Sequence, residues 1–532
     1  EHDACGVGFV AQINGERSHR VLQLGLESVV NVTHRGAVDA DAKTGDGAGV
    51  LTQLPRKLFA KELRRLGITS INPDDIAVGM FFFPRDEETR QRCLEIVERT
   101  CDRHGLDRLA WRPVPVEPHG LGGKALATQP DIQQLILGRP VGHDDEDYER
   151  VLFLARKEIE RRVSREAIGN FYVPSMSHST IVYKGLFVAP QLATFYKDLQ
   201  DPDYETALCV FHQRYSTNTL PDWFLAQPFR MLAHNGEINT RQGNDNWMEA
   251  READLESPFW HDDIEWLKPI TWRAGSDSAS LDNALEALER SGRDVLHSMM
   301  MLVPEAWENM PDMDPAQRAF YEYHACLTEP WDGPAALAFT DGRIVGASLD
   351  RNGLRPARYK ITTDGLVVLA SEVGVVRLED SEVVEKGRLG PGQMIAVDTG
   401  AGRLLRNDEI KTEIASRRPY GEWLKRQLVR LETVIETEDD RRRTTDDPSS
   451  VLVGGDGKAD GKAAGDGQAN GVAVAQAATA PRALGADNLP LLHRAFGYTA
   501  EDLSRVVEAM AADGKDPVWS MGDDTPLAVL SL

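Results

Sequence analysis

Cys5, in the opening Cys5-Gly6-Val7-Gly8-Phe9-Val10, can carry a special chemistry. If the bond after Ala4 is cut, one residue holds both a thiol and a free α-amine. A thiol, with a pKa near 8.5, is a weak nucleophile until it is deprotonated. An α-amine, with a pKa of about 7.7–8.0, can take that proton near neutral pH, and no histidine is needed. Three other places offer what such a nucleophile requires. In His234-Asn235-Gly236-Glu237, the Asn235 side-chain N–H and the Gly236 backbone N–H can converge as an oxyanion hole. Losing one such donor costs roughly 10²–10³ in turnover. The same Asn-Gly also reads as a tight turn. In His212-Gln213-Arg214-Tyr215-Ser216-Thr217-Asn218, Arg214 sits at a strand end and can fork a carboxylate, or make a structural ion pair. In Gly275-Ser276-Asp277-Ser278, Asp277 can bind an ammonium group, or serve the helix that follows as its cap or first-turn acid.

The elements that position these residues follow from periodicity. Strands are predicted over 7–13, 76–83, 180–188, 207–214, 229–234, 367–371 and 394–398, and a hairpin over 335–349 around Asp341-Gly342. Helices are predicted over 20–32, 86–104, 145–165 and 278–290. Strands and helices in blocks imply α+β layers rather than a βαβ repeat. The glycines of Gly45-Asp46-Gly47-Ala48-Gly49 lack the Lys-Ser/Thr ending of a phosphate loop, and read as turns passing near the site. His34 reads as a structural hydrogen-bonding residue.

The chain has 532 residues, 41% of them hydrophobic, which is enough for a real core. Its net charge of −24 lacks the basic footprint of a nucleic-acid binder. No apolar run approaches the roughly 20 residues of a membrane helix. Five cysteines without a Cys-x-x-Cys pair give neither a disulfide framework nor a zinc or iron–sulfur site, and fit free thiols in a reducing compartment. Composition shifts near Glu436, and 453–480 is almost all Gly, Ala, Asp and Val, a flexible linker. The amphipathic stretch from about Asp487 is too short for a domain and reads as the truncated start of one. With no initiator Met, the chain is expected to begin inside a longer product or after processing.

Together the motifs resemble the class II, amino-terminal-nucleophile glutamine amidotransferases, in particular those of glutamate synthases. The matching stretches are Cys5-Gly6-Val7-Gly8-Phe9, His34-Arg35-Gly36-Ala37, Gly45-Asp46-Gly47-Ala48-Gly49, the Arg214 and Asn235 segments, Gly275-Ser276-Asp277-Ser278, Asp350-Arg351-Asn352-Gly353-Leu354-Arg355-Pro356 and Met521-Gly522-Asp523-Asp524-Thr525-Pro526. The resemblance implies a four-layer αββα sandwich of the amino-terminal-nucleophile hydrolase type. It implies a remnant propeptide at 1–4, an amidotransferase domain at 5–432, a linker at 433–486, and the beginning of an α/β central domain at 487–532.

The implied activity is hydrolysis of L-glutamine to L-glutamate and ammonia. Cys5 would attack the carboxamide, with Asn235 and Gly236 holding the oxyanion. Arg214 would clamp the substrate α-carboxylate and Asp277 its α-ammonium, with Thr217 a further substrate contact. FMN and a 3Fe–4S cluster are implied for the remaining synthase domains, not for this chain. A small NAD(P)H-oxidising subunit and a cytoplasmic location are also implied. Electron donor and oligomeric state stay open. The alternatives are an amidotransferase with another acceptor, a non-catalytic glutamine-binding module and, against the charge clamps, a Cys–His peptidase.

Overall fold

The computed structural model describes residues 5–39, 41, 43–214 and 222–429. The linker and central-domain expectations therefore lie outside the described residues. At the centre, apolar alternation builds two antiparallel sheets. The seven-stranded sheet runs in the order Val383–Arg388, Arg358–Thr362, Leu366–Ala370, Gly6–Gln12, Leu208–Gln213, Ala48–Gln53, Thr180–Gly185. The five-stranded sheet runs Arg403–Leu405, Met394–Asp398, Ile344–Leu349, Ala335–Thr340, Leu232–Gly236.

Successive side chains of a strand point to opposite faces, and this alternation sorts the cores. Val7, Phe9, Ala11, Leu51 and Val210 meet Ala233, Ala336, Ala338, Ala347 and Val397 between the sheets. Val10, Val50 and Phe211 turn the other way, onto Val21, Leu22 and Val29 of the helix His19–Asn31. On the far side, Leu232, Leu337 and Phe339 pack under the helices Asp277–Arg290, Val295–Leu302 and Pro315–Ala325. The result is the αββα sandwich.

A third sheet stands outside the expected layers: Asp107–Pro113, Asp131–Gly138, Ile76–Phe83 and Tyr172–Ser177, all antiparallel. Ile76–Phe83 divides its side chains between two cores. Ala77, Phe81 and Phe83 lie under the helices Glu87–Arg103 and Asp145–Arg165, while Ile76, Val78, Met80 and Phe82 join the core beneath His19–Asn31.

Two boundaries near the site differ from the sequence reading. The strand expected over 229–234 begins at Leu232 and continues to Gly236. The buried Asp282 carboxylate accepts the N–H groups of Arg230, Met231 and Leu232, and Phe229 N–H turns back to Leu232 O, so the chain bends before it can pair. The helix expected from Ser278 begins at Asp277, because Ser276 is its cap and accepts the Ala279 N–H at 3.2 Å.

Candidate active site

Cys5 enters the middle of the seven-stranded sheet at the head of Gly6–Gln12. Its backbone is held on two sides. Its N–H donates to Asn235 Oδ1 at 3.1 Å, across to the edge strand of the other sheet. Ser371 Oγ donates to Cys5 O and accepts the Val7 N–H, both at 3.2 Å. The thiol is pushed up to about 12, mainly by burial. Arg214 and Arg355 pull it down, and Asp46 and Asp277 push it up. These four charges therefore surround the sulfur.

Asn235 is fully buried. Its Oδ1 is used by Cys5, and its Nδ2 finds no hydrogen-bond partner among the described residues. Gly236 supplies a second donor through strand geometry. In an antiparallel pair, hydrogen-bonded positions alternate with positions whose backbone groups face away. Thr340 N–H to Met231 O and Glu237 N–H to Pro334 O fix that alternation. Residues 232, 234 and 236 therefore face off the open edge. Leu232 O takes the Phe229 N–H there, and His234 N–H reaches Gln227 Oε1. Gly236 N–H is directed off the same edge. Gly236 has φ +136°, and a Cβ there would meet Pro334 O at 1.8 Å, so only glycine fits.

Arg214 follows the strand Leu208–Gln213 with φ +98°, a left-handed conformation that costs an L residue about 1–3 kcal/mol. Its N–H donates to Gly47 O at 2.9 Å, which anchors the strained residue on the glycine turn. Its Nε lies 4.0 Å from Asp46 Oδ2. Asp277 is buried at the first turn of its helix. Oδ2 accepts the Ile238 N–H at 2.8 Å and Oδ1 the Ser278 N–H at 2.7 Å. Burial opposes its charge, but His234 and these two N–H groups outweigh it and hold the carboxyl down at about 2.

The structure thus gathers Cys5, Arg214, Asn235, Gly236 and Asp277, while Thr217 lies outside the described residues. Asn235-Gly236 closes a strand and is not a turn. Of the two helix readings of Asp277, the structure gives the first-turn acid, since Ser276 is the cap. His34 accordingly pairs with Glu372, at 2.9 Å. Sequence reasoning missed Asp46, Ser371, His234 and Gln227 around the site, and gave Arg355 no role. Arg355, Asp46 and His234 lie inside quoted motifs, and that is the available signal.

Among the described residues, no group of three His, Cys, Asp or Glu side chains can hold a metal ion. Cys93 and Cys101 are buried in one core, Cys209 in another, and Cys326 is exposed, so these cysteines do not fit a cluster. No described helix is long and apolar enough to cross a membrane.

Two family models match the chain: class-II glutamine amidotransferases over residues 5–423, and the glutamate synthase central domain over residues 492–532. Its whole length is 43% identical to the glutamate synthase [NADPH] large chain of Azospirillum brasilense, covering 32% of that protein. It is 45% identical over its whole length to ferredoxin-dependent glutamate synthase 2 of Synechocystis, covering 31%. With the Bacillus subtilis glutamate synthase [NADPH] large chain, identity is 40% and coverage 32%. The chain spans about a third of the length of these relatives. A cysteine tied through its own nitrogen to an asparagine at the end of a facing sheet, and the family match running from that cysteine to residue 423, lead to one conclusion: the chain belongs to the class-II glutamine amidotransferases.

Proposed function

We propose that the chain is the glutamine-hydrolysing module of a glutamate synthase. One observation carries this reading: next to Cys5, whose N–H rests on Asn235, stand two donors, Asn235 Nδ2 without a partner among the described residues and Gly236 N–H turned off its ladder. Buried donors are almost always satisfied, so a buried donor left over beside a nucleophile fits a ligand oxygen.

Once the chain is cut before Cys5, its α-amine takes the Sγ proton as Sγ attacks the carboxamide carbon of L-glutamine. The oxygen becomes an oxyanion facing Asn235 Nδ2 and Gly236 N–H. The resulting ammonium gives its proton to the departing nitrogen, releasing ammonia and leaving a thioester. Water then cleaves the thioester, giving L-glutamate and the thiol. Arg214 forks the α-carboxylate with Thr217 nearby, and Asp277 takes the α-ammonium, which selects the free amino acid. Cutting before Cys5 replaces a neutral amide by an amine that gains its charge as the neighbouring thiol loses its proton, which eases ionisation of a thiol that burial holds near 12.

The domain division is 5–432 for this module, 433–486 for a linker and 487–532 for the start of the central domain. Ammonia passes to the remaining synthase domains, which carry the FMN and the 3Fe–4S cluster. A small NAD(P)H-oxidising subunit supplies electrons in those forms that use a nicotinamide donor. The protein works in the cytoplasm, where its five cysteines stay unpaired.

The test combines mass spectrometry of the amino terminus with ammonia release from L-glutamine. A mature chain beginning at Cys5 and active only in that form is expected. Full activity with Ala4 retained overturns the self-base mechanism.

A further inference from the structure

We propose that His234 is a positioning residue for glutamine recognition, fixing Asp277 so that its remaining lone pairs meet the substrate α-ammonium; this rests on the glutaminase reading above. His234 precedes Asn235 in the edge strand, and alternation sends the two side chains to opposite faces. Asn235 follows Ala233 toward the intersheet core and Cys5. His234 follows Leu232 toward the helical layer, where Asp277 opens its helix.

His234 is 1% exposed, and its Nε2, which makes no hydrogen bond among the described residues, lies in ion-pair range of Asp277 Oδ2 at 3.5 Å. Two contacts hold the backbone of residue 234, and one reaches its ring. Its backbone N–H donates to Gln227 Oε1 at 2.8 Å, and its carbonyl faces His212 Nε2 at 3.0 Å. The Gln227 amide nitrogen lies 3.5 Å from His234 Nδ1 and 3.4 Å from Ser278 Oγ. An amide nitrogen can only donate, so Nδ1 is the acceptor and the ring proton sits on Nε2, toward Asp277. Gln227, His234, Asp277 and Ser278 thereby close a ring of polar contacts. Asp277 is seated from three directions, by His234, by the Ile238 N–H and by its own helix start.

The ring explains why a carboxylate with little solvent stays in one place. The Ser278 N–H holds one oxygen from the helix, the Ile238 N–H holds the other from just past the edge strand, and the imidazole approaches from the strand itself. Lone pairs not used by these donors stay available for an ammonium group. Without His234, Asp277 keeps its backbone bonds but loses the contact that fixes it against the edge strand. The loss should then fall on ligands that carry an α-ammonium, and spare those that do not.

The experiment uses a chain produced to begin at residue 5 and carrying Cys5→Ala, so that ligands bind without turnover. Calorimetry measures L-glutamine and 4-carbamoylbutanoate, the same molecule without its α-amine. His234→Leu is expected to weaken L-glutamine about fivefold, the scale of a close polar contact to a charged group, and to change the analogue by less than about twofold. His234→Gln, which keeps an N–H, should restore most of the loss, and His234→Leu should add nothing to Asp277→Asn. Equal weakening of both ligands means that His234 only shapes the strand, and overturns the proposal, as does no weakening of either. If the Cys5→Ala chain binds neither ligand, the glutaminase reading itself falls.

Discussion

Two buried polar clusters in this molecule look alike in composition and differ in what they leave over. In the first, Arg112 binds both oxygens of Asp198 at 2.7 and 2.8 Å, Gln134 Oε1 at 2.6 Å and Glu62 Oε2 at 3.1 Å. Tyr183 donates to Asp198 at 2.8 Å and receives the Gln134 amide at 3.0 Å, which closes the ring. That network ties the third sheet to the seven-stranded sheet, and its charged groups satisfy one another. Around Cys5, by contrast, Asn235 Nδ2 has no partner among the described residues, Arg214 is held at a strained φ, and a thiol is kept protonated by burial. The Arg112 network is satisfied within itself and holds two sheets together, whereas the Cys5 cluster keeps a buried donor uncommitted beside a nucleophile.

The largest way to sharpen this contrast is Cys5→Ala. Ammonia release should fall on the order of 10⁴-fold or more, while the melting temperature changes little. A steady-state glutaminase assay beside calorimetric melting reads both. Asp198→Ala should do the opposite: stability drops by about 3–5 kcal/mol, because Arg112 loses its partner in the core, while turnover per folded molecule stays constant. Denaturant unfolding measures this, and an unchanged midpoint would break the contrast from the scaffold side.

Asn235→Ala should fall between the two. Turnover drops by roughly 10²–10³, about 2.7–4 kcal/mol in the barrier, yet stability falls by only about 1 kcal/mol for the Cys5 N–H bond. A stability loss as large as that of Asp198→Ala would mean that Asn235 is scaffold after all. The smallest effect concerns Asp277. Its carboxyl, held at about 2 against an ordinary 3.8, contributes about 2 kcal/mol of stability. Because the folded value is depressed, that contribution is full above about pH 4 and is lost as pH falls through about 2. Asp277→Asn should therefore be less stable than the parent at pH 7, and the gap should close between pH 4 and pH 2 in paired melting curves.

Much of this was legible in the sequence, because the relevant patterns are local. The alternation over 7–13 and 207–214, the helical spacing after Asp277 and the residue types at Cys5, Arg214 and Asn235 can each be read within one segment. What was not legible is pairing. Cys5 and Asn235 are 230 positions apart, and no period in either segment announces the other. The third sheet escaped for a related reason. Asp107–Pro113 is half-exposed along most of its length, and Asp131–Gly138 carries Gln133 and Gln134 between apolar residues, so neither alternates cleanly. The shifted start of Leu232–Gly236 comes from a single buried carboxylate, Asp282, fifty residues downstream of the strand. His234 was passed over because a histidine beside an Asn-Gly carries no spacing signal, and only the fold brings Gln227, Asp277 and Ser278 around it.

The flat amide of Asn235 has a further meaning for how such a site is made. Its oxygen takes the Cys5 N–H, and in the proposed mechanism its own nitrogen meets the oxygen of the substrate. One rigid plane therefore acts as a gauge that sets two reacting partners a fixed span apart before either has changed. An aspartate of the same shape would still grip Cys5 yet turn a repelling oxygen on the developing charge. The difference between a gauge and an obstacle is thus one atom at residue 235.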